Sequence, residues 1–226
     1  MTAAALSIDI ISDIVCPWCY IGKRRLEGAL KLYREMHPQA PEPEVRWWPF
    51  QLNPEMPAEG VDRSTYLEGK FGTARVSDIY ARVSGVGKEV GIPFAFDKMV
   101  RQPNTLAAHS IVAQAGLLGV QDAMVEALFH AYFIEGQDLT QTEVLVRIAT
   151  GAGLSQADAR ECLEGAEMRE QTAHEDKRAR ELGVEGVPFF IFNRRYAVSG
   201  AQEAQALVEA MIASQAPGDE SPAQGT

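Results

Sequence analysis

The apolar pattern of this chain changes its period twice, and that change limits the available folds more than any single residue. Residues 6–12 (LSIDIIS) alternate or run apolar, as a buried strand does. Beyond Cys19 the spacing turns helical. Leu26, Leu30 and Tyr33 fall at i, i+4 and i+7, and His37-Pro38 stops the run. Pro41–Pro43 reads as a turn and Val45–Leu52 (VRWWPFQL) as a second strand. Pro49 places that strand at an edge, or itself at a strand end, because proline cannot donate to a ladder. A β-α-β order pairs its two strands in parallel by default.

From about Ser64 to Leu182 the period is almost entirely helical. Val76, Ile79, Tyr80 and Val83 form one stripe; Val125, Leu128, Phe129 and Tyr132 form another. Thr140 with Glu143 fits a capping box ahead of Val144, Leu145 and Ile148, with Gly151 closing that helix, and Ser155 caps the next. Strand character returns at Phe189–Phe192 and Tyr196–Val198, joined as a hairpin by Asn193-Arg194-Arg195. Ser199-Gly200 open a last helix carrying Leu207, Val208, Met211 and Ile212. The tail from Ser214 is rich in Pro, Gly, Asp, Glu and Gln and is expected to fray.

Without the helical block the order is β-α-β-α-β-β-α, which is that of the thioredoxin fold. The expected class is therefore α/β: a thioredoxin fold interrupted by a large all-helical insertion. The boundaries expected are 1–60 and 175–213 for the two thioredoxin-like parts, 61–174 for the insertion and 214–226 for a flexible tail. At 226 residues, 46% of them apolar and 23% charged, the chain can bury a core without metal or disulfide support. A net charge of −10 opposes nucleic acid and anionic membrane surfaces as partners. The first residues lack a basic leader and are broken by Asp9 and Asp13, so a cytoplasmic location is expected. Oligomeric state is left open by the sequence.

Cys16-Pro17-Trp18-Cys19 lies where the first strand ends and the first helix begins. A cysteine at a helix N-terminus faces unpaired N–H groups and the positive end of the helix dipole, which stabilise a thiolate. Pro17 suits the first turn, where its missing N–H costs nothing. Cys19, one turn along, is close enough to attack a mixed disulfide formed at Cys16. A lone CxxC can also be half of a zinc site, but structural zinc needs four ligands. Cys162 and the histidines at 37, 109, 130 and 174 are scattered, and no second CxxC exists, so no metal is expected.

Val187-Pro188 enters the hairpin. Any X-Pro bond is more often trans, but in the thioredoxin order the corresponding proline is cis and faces the cysteine pair. It then offers the preceding residue's backbone to a substrate strand.

The run Ser12-Asp13-Ile14-Val15-Cys16-Pro17-Trp18-Cys19-Tyr20-Ile21-Gly22 resembles the FrnE branch of the DsbA-like oxidoreductases. So do Trp48-Pro49-Phe50-Gln51-Leu52-Asn53-Pro54, Pro103-Asn104-Thr105 with His109, and Gly183-Val184-Glu185-Gly186-Val187-Pro188-Phe189-Phe190. These segments span nearly the whole chain in order. The resemblance implies thiol–disulfide exchange on protein substrates, with Cys16 as nucleophile, Cys19 as resolving thiol, and Val187 and Pro188 as the substrate-facing loop. Protein thiols and disulfides or glutathione are the partners implied, with glutathione as co-substrate and no tightly bound cofactor. Related hydroxychromene-carboxylate isomerases and kappa-class glutathione transferases carry serine at the first position; this chain keeps both sulfurs. DsbA has a histidine between its cysteines where this chain has Pro17 and Trp18, and uncharged indole implies a less oxidising couple.

Other candidates carry two readings each. Asp13 reads first as a turn acceptor, with proton relay to Cys19 as the alternative. Asn104 caps a helix bearing Ile111, Val112 and Ala115, or, as the resemblance implies, faces the cysteines from the insertion and helps bind a thiol substrate; His109 is its polar neighbour or a second contact there. Lys23, Arg24 and Arg25 read as a solvated face, with a raised local positive potential near the cysteines as the alternative. Cys16, Trp18 and Tyr20 are expected to be exposed, the aromatics suiting peptide binding, with Tyr20 alternatively packed beneath the insertion. Cys162 reads as a buried spectator. The expected function is a thiol–disulfide oxidoreductase of isomerase or oxidase type. A glutathione-dependent isomerase or transferase of a small aromatic, and a chaperone-like binder of unfolded chains, are its rivals.

Overall fold

The computed structural model describes residues 5–216. Strand β1 (Ser7–Ser12) leads through a short turn into α1 (Pro17–Met36) and then β2 (Glu44–Pro49). The hairpin β5 (Phe189–Phe192) and β6 (Tyr196–Ser199) precedes α9 (Ala204–Gln215). These strands form one sheet in the order β2-β1-β5-β6, with β1 and β2 parallel and the other neighbours antiparallel. Pro49 ends β2, which is an edge strand, as the missing N–H requires. Left-handed φ values of 51° at Asn193 and 56° at Arg194 shape the hairpin turn.

Alternation along β1 divides the sheet into two faces. Ile8 and Ile10 join Phe190 and Phe192 beneath α1 and α9, where Leu26, Ala29, Leu207, Val208 and Met211 complete the layer. Ile11 points the other way, into a smaller cluster with Phe50, Ala179 and Val184.

The helical block comprises α2 (Arg63–Phe71), α3 (Thr73–Glu89), α4 (Leu106–Leu117), α5 (Gln121–Phe133), α6 (Thr142–Gly151), α7 (Gln156–Glu164) and α8 (Glu167–Glu181). Leu128, Phe129 and Tyr132 on α5 are buried, as their spacing implies. The block also contains a short antiparallel pair that the helical period conceals: β3 (Val61–Asp62) against β4 (Arg101–Gln102). Gly60 enters it with φ +66°, and a Cβ there would lie 2.5 Å from the Gln102 carbonyl. Helix α8 runs unbroken across positions 174 and 175, packing on α4 and α7 as well as on β2.

Several local expectations change. Asp138, not Thr140, organises the entry to α6: its Oδ1 accepts from Thr140 N at 3.0 Å, and the helix begins only at Thr142. Glu143 pairs instead with Arg160 on α7 at 2.7 Å. Ser155 caps α7 as expected, accepting from Asp158 N. Helix α9 begins at Ala204 rather than beside Gly200, and Ile212 is exposed. Ser214 belongs to that helix and is buried, so fraying does not begin there; 217–226 lie outside the described residues.

Candidate active site

Cys16 is the N-cap of α1, with φ −93° and ψ 112°, and Pro17 opens the helix. Its N–H donates to the Asp13 carbonyl at 3.1 Å, while its own carbonyl accepts from Cys19 N at 3.0 Å. Both cysteines are free thiols. The expectation that Cys16 is exposed is corrected: it is 5% accessible, and its Sγ donates to the Val187 carbonyl at 3.7 Å. A turn of chain far away in sequence covers the sulfur, which local spacing cannot reveal.

Cys19 is fully buried. That burial pushes its thiol well above the ordinary range, reinforced by its hydrogen bond to Cys16 and repulsion from negative charge there. The Ser12 hydroxyl and the Asp13 N–H oppose the rise. Ser12 Oγ is buried and makes no hydrogen bond of ordinary length, so burial dominates. The two sulfurs sit differently: burial keeps the proton on Cys19, while Cys16 occupies the N-cap position of α1 with its Sγ turned to the Val187 carbonyl and not to the helix N–H groups.

The Val187-Pro188 bond is cis, and the proline packs directly on α1. A Cβ added to Gly22 would come within 2.9 Å of Pro188 Cγ and 3.2 Å of Phe190 Cζ. Gly22 thus lets the helix carrying the cysteines approach the proline loop. Sequence reading did not single it out for that role, though a glycine inside a helix disfavours helix formation and asks for a packing reason.

Asp13 is fully buried, but its side chain is not a local turn acceptor, which corrects the first reading of it. Its Oδ2 accepts from Leu52 N at 2.7 Å and its Oδ1 lies 3.2 Å from His109 Nε2, 96 residues away on α4. The pair joins the cysteine turn to the helical block. Asn104 Oδ1 accepts from Leu106 N at 2.9 Å and its Nδ2 donates to Met56 O at 2.7 Å, so both ends of the amide are engaged within the fold. That matches its capping role; Thr105 is the N-cap residue itself.

The basic triplet is not a solvated face. Lys23 is 3% accessible and meets Glu27 at 2.5 Å, Asp122 at 3.1 Å and Glu126 at 3.3 Å. Arg24 also pairs with Glu126, and Arg25 with Glu203. Tyr20 is buried rather than exposed, stacking on Phe129 with ring centroids 4.9 Å apart and donating to Glu126 at 2.9 Å. Acidic and aromatic residues of α5 claim Tyr20, Lys23 and Arg24, and only the assembled fold brings α5 to α1. Trp18 is half-buried, and the exposed Arg82 of α3 lies over it, Cζ 5.7 Å from the ring centroid. Cys162 is buried in α7, which pushes its thiol up to about 11. Among the described residues no group of three or more His, Cys, Asp or Glu is arranged to hold a metal ion. Nor is any described helix long and apolar enough to cross a membrane.

The fold is shared with known proteins. A probable DsbA oxidoreductase from Streptomyces coelicolor superimposes with a TM-score of 0.84 and 28% identity, covering 98% of this chain and 94% of that one. The cytosolic disulfide reductase DsbM from Pseudomonas aeruginosa, in its structure with GSH, has a TM-score of 0.60 at 20% identity, with 92% and 95% covered, a likeness of fold. The uncharacterized protein YwbO from Bacillus subtilis is 25% identical over 185 residues, 81% of this chain and 85% of that protein. Residues 7–212 match the DSBA-like thioredoxin domain, so the chain belongs to the DsbA-like thioredoxin domain family.

Proposed function

We propose that this chain is a thiol–disulfide oxidoreductase of the FrnE branch, acting in the cytoplasm on protein thiols and disulfides, with glutathione as co-substrate. The observation that carries the reading is the placement of two unequal sulfurs. Cys16 caps α1 with its Sγ 3.7 Å from the Val187 carbonyl, and Cys19 is fully buried one turn along.

In the reducing direction the Cys16 thiolate attacks a substrate disulfide. One substrate sulfur joins Cys16, and the other leaves as a thiolate. Cys19 then gives up its proton and attacks the Cys16 sulfur. The second substrate thiolate departs, Cys16 and Cys19 are left oxidised as a disulfide, and the substrate has gained two electrons. Reduced glutathione returns the pair to dithiol, itself becoming glutathione disulfide. The oxidising direction is the reverse. Trp18, Val187 and Pro188 flank the reacting sulfur and are the substrate-contacting residues of this proposal; Asp13, Asn104 and His109 hold the surrounding turns. No tightly bound cofactor is required.

The test is a Cys19→Ser variant mixed with glutathione disulfide or a disulfide-bonded protein. A mixed disulfide on Cys16 should accumulate, seen by intact mass, and vanish in Cys16→Ser. Absence of the adduct overturns the reading. Turnover that survives Cys19→Ser with strong glutathione dependence points to an isomerase or transferase. Unchanged activity in the Cys16→Ala, Cys19→Ala double variant points to a non-redox binder. Equilibration with a glutathione buffer should place the couple at about −180 mV or lower, below the roughly −120 mV of DsbA, because no histidine lies between the cysteines.

A further inference from the structure

We propose that Arg82 makes the approach to Cys16 selective for thiol and disulfide substrates that carry a carboxylate close to their sulfur. The proposal rests on Cys16 being the reacting sulfur, as read above.

Arg82 lies on α3, which packs on α1, and its guanidinium Cζ is 5.7 Å from the ring centroid of Trp18, inside the CPWC turn. The next residue, Val83, is buried, so the cation is carried by an anchored helix and not by a loose loop. Arg82 itself is exposed. It takes part in no ion pair among the described residues, although Asp78 sits one helical turn before it. By contrast Arg24 and Arg25, on the helix that carries the cysteines, both have carboxylate partners.

An unpaired cation on the face of an indole two residues along from the reactive cysteine has a consequence in this molecule. The chain's net charge of −10 repels anions at long range. A carboxylate substrate therefore benefits from a local positive charge at the entrance more than a neutral one does. The guanidinium, fork-shaped and weakly hydrated, is suited to a carboxylate.

Two pairs of reagents read this directly. Alkylation of Cys16 by anionic iodoacetate and by neutral iodoacetamide forms the same C–S bond with loss of iodide. Their rate ratio cancels any change in the thiolate fraction and reports only the charge seen by the reagent. At about 0.01 M ionic strength, Arg82→Ala should lower the iodoacetate-to-iodoacetamide ratio roughly 1.5- to fivefold, the range an exposed ion pair supports. Arg82→Glu should lower it further, and Arg82→Lys should retain most of it. Near 1 M salt the differences should collapse. Oxidation of the dithiol by glutathione disulfide, compared with neutral hydroxyethyl disulfide, should show the same order.

An unchanged ratio in Arg82→Ala and Arg82→Glu overturns the proposal. So does an equal fall with both reagents, which would mean that Arg82 only holds Trp18 in place. A charge-dependent alkylation ratio with no reaction of the native dithiol toward either disulfide would keep Arg82 as an anion-steering residue and overturn the oxidoreductase reading instead.

Discussion

Replacing Gly22 with alanine isolates the contact that holds the cysteine helix against the proline loop. The new Cβ would lie 2.9 Å from Pro188 Cγ, 3.2 Å from Phe190 Cζ and 3.4 Å from Pro188 Cβ. Carbon atoms pack best at about 3.5–4.0 Å, so the loop must retreat by roughly 0.5 Å or the helix must shift. Overpacking of this kind costs about 1–3 kcal/mol. The helix itself gains about 1 kcal/mol when glycine becomes alanine. The two together leave Gly22→Ala destabilised by about 0–2 kcal/mol.

Gly85 supplies the control. It is exposed in the interior of α3, and a Cβ there meets nothing within 4 Å, so Gly85→Ala should stabilise by up to about 1 kcal/mol. The difference between the two variants, read from urea midpoints at unchanged slope, is the overpacking alone. Activity should separate them as well. Pro188 carries Val187, whose carbonyl is 3.7 Å from Cys16 Sγ, and a displacement of this size should slow disulfide exchange by about tenfold in Gly22→Ala only. Equal stabilisation of both variants, with equal rates, would refute the close approach of α1 to the loop.

His109→Ala removes the partner of Asp13 Oδ1 and leaves a buried carboxylate oxygen unsatisfied, which should destabilise the protein by about 1–3 kcal/mol in urea unfolding; a loss within about 0.5 kcal/mol would show the pair to be dispensable. Cys162 should titrate late, because burial pushes its thiol up to about 11. The unfolded chain gives up this proton first, so stability from Cys162 is intact below the ordinary thiol range and declines as pH rises toward 11. Cys162→Ala should flatten the alkaline limb of the stability profile, and a native limb as flat as that of the variant would contradict the assignment.

The thioredoxin frame was legible because each of its elements carries its own signal. Period-2 and period-3.6 spacing are local, and the turn residues between them are local as well. Hence β1, α1, the β5–β6 hairpin and the buried stripe of α5 follow from residue order. The CPWC motif was legible for the same reason: strand, cysteine, proline and helix lie within a few residues of one another. The two-residue strands β3 and β4 were not, since two residues are too few to display a period.

Residue order alone determines that a cysteine caps the first helix and that a second lies one turn behind it, because helix geometry sets both. Tertiary structure decides what surrounds them. Asp13 looks like a turn residue until α4 brings His109 to it, and Lys23 looks solvated until α5 brings Asp122 and Glu126. Cys16 looks exposed until a segment 171 residues away lays the Val187 carbonyl over its sulfur. Partners that distant leave no periodic trace, since their contact energy depends on how helices and sheet pack and not on spacing along the chain.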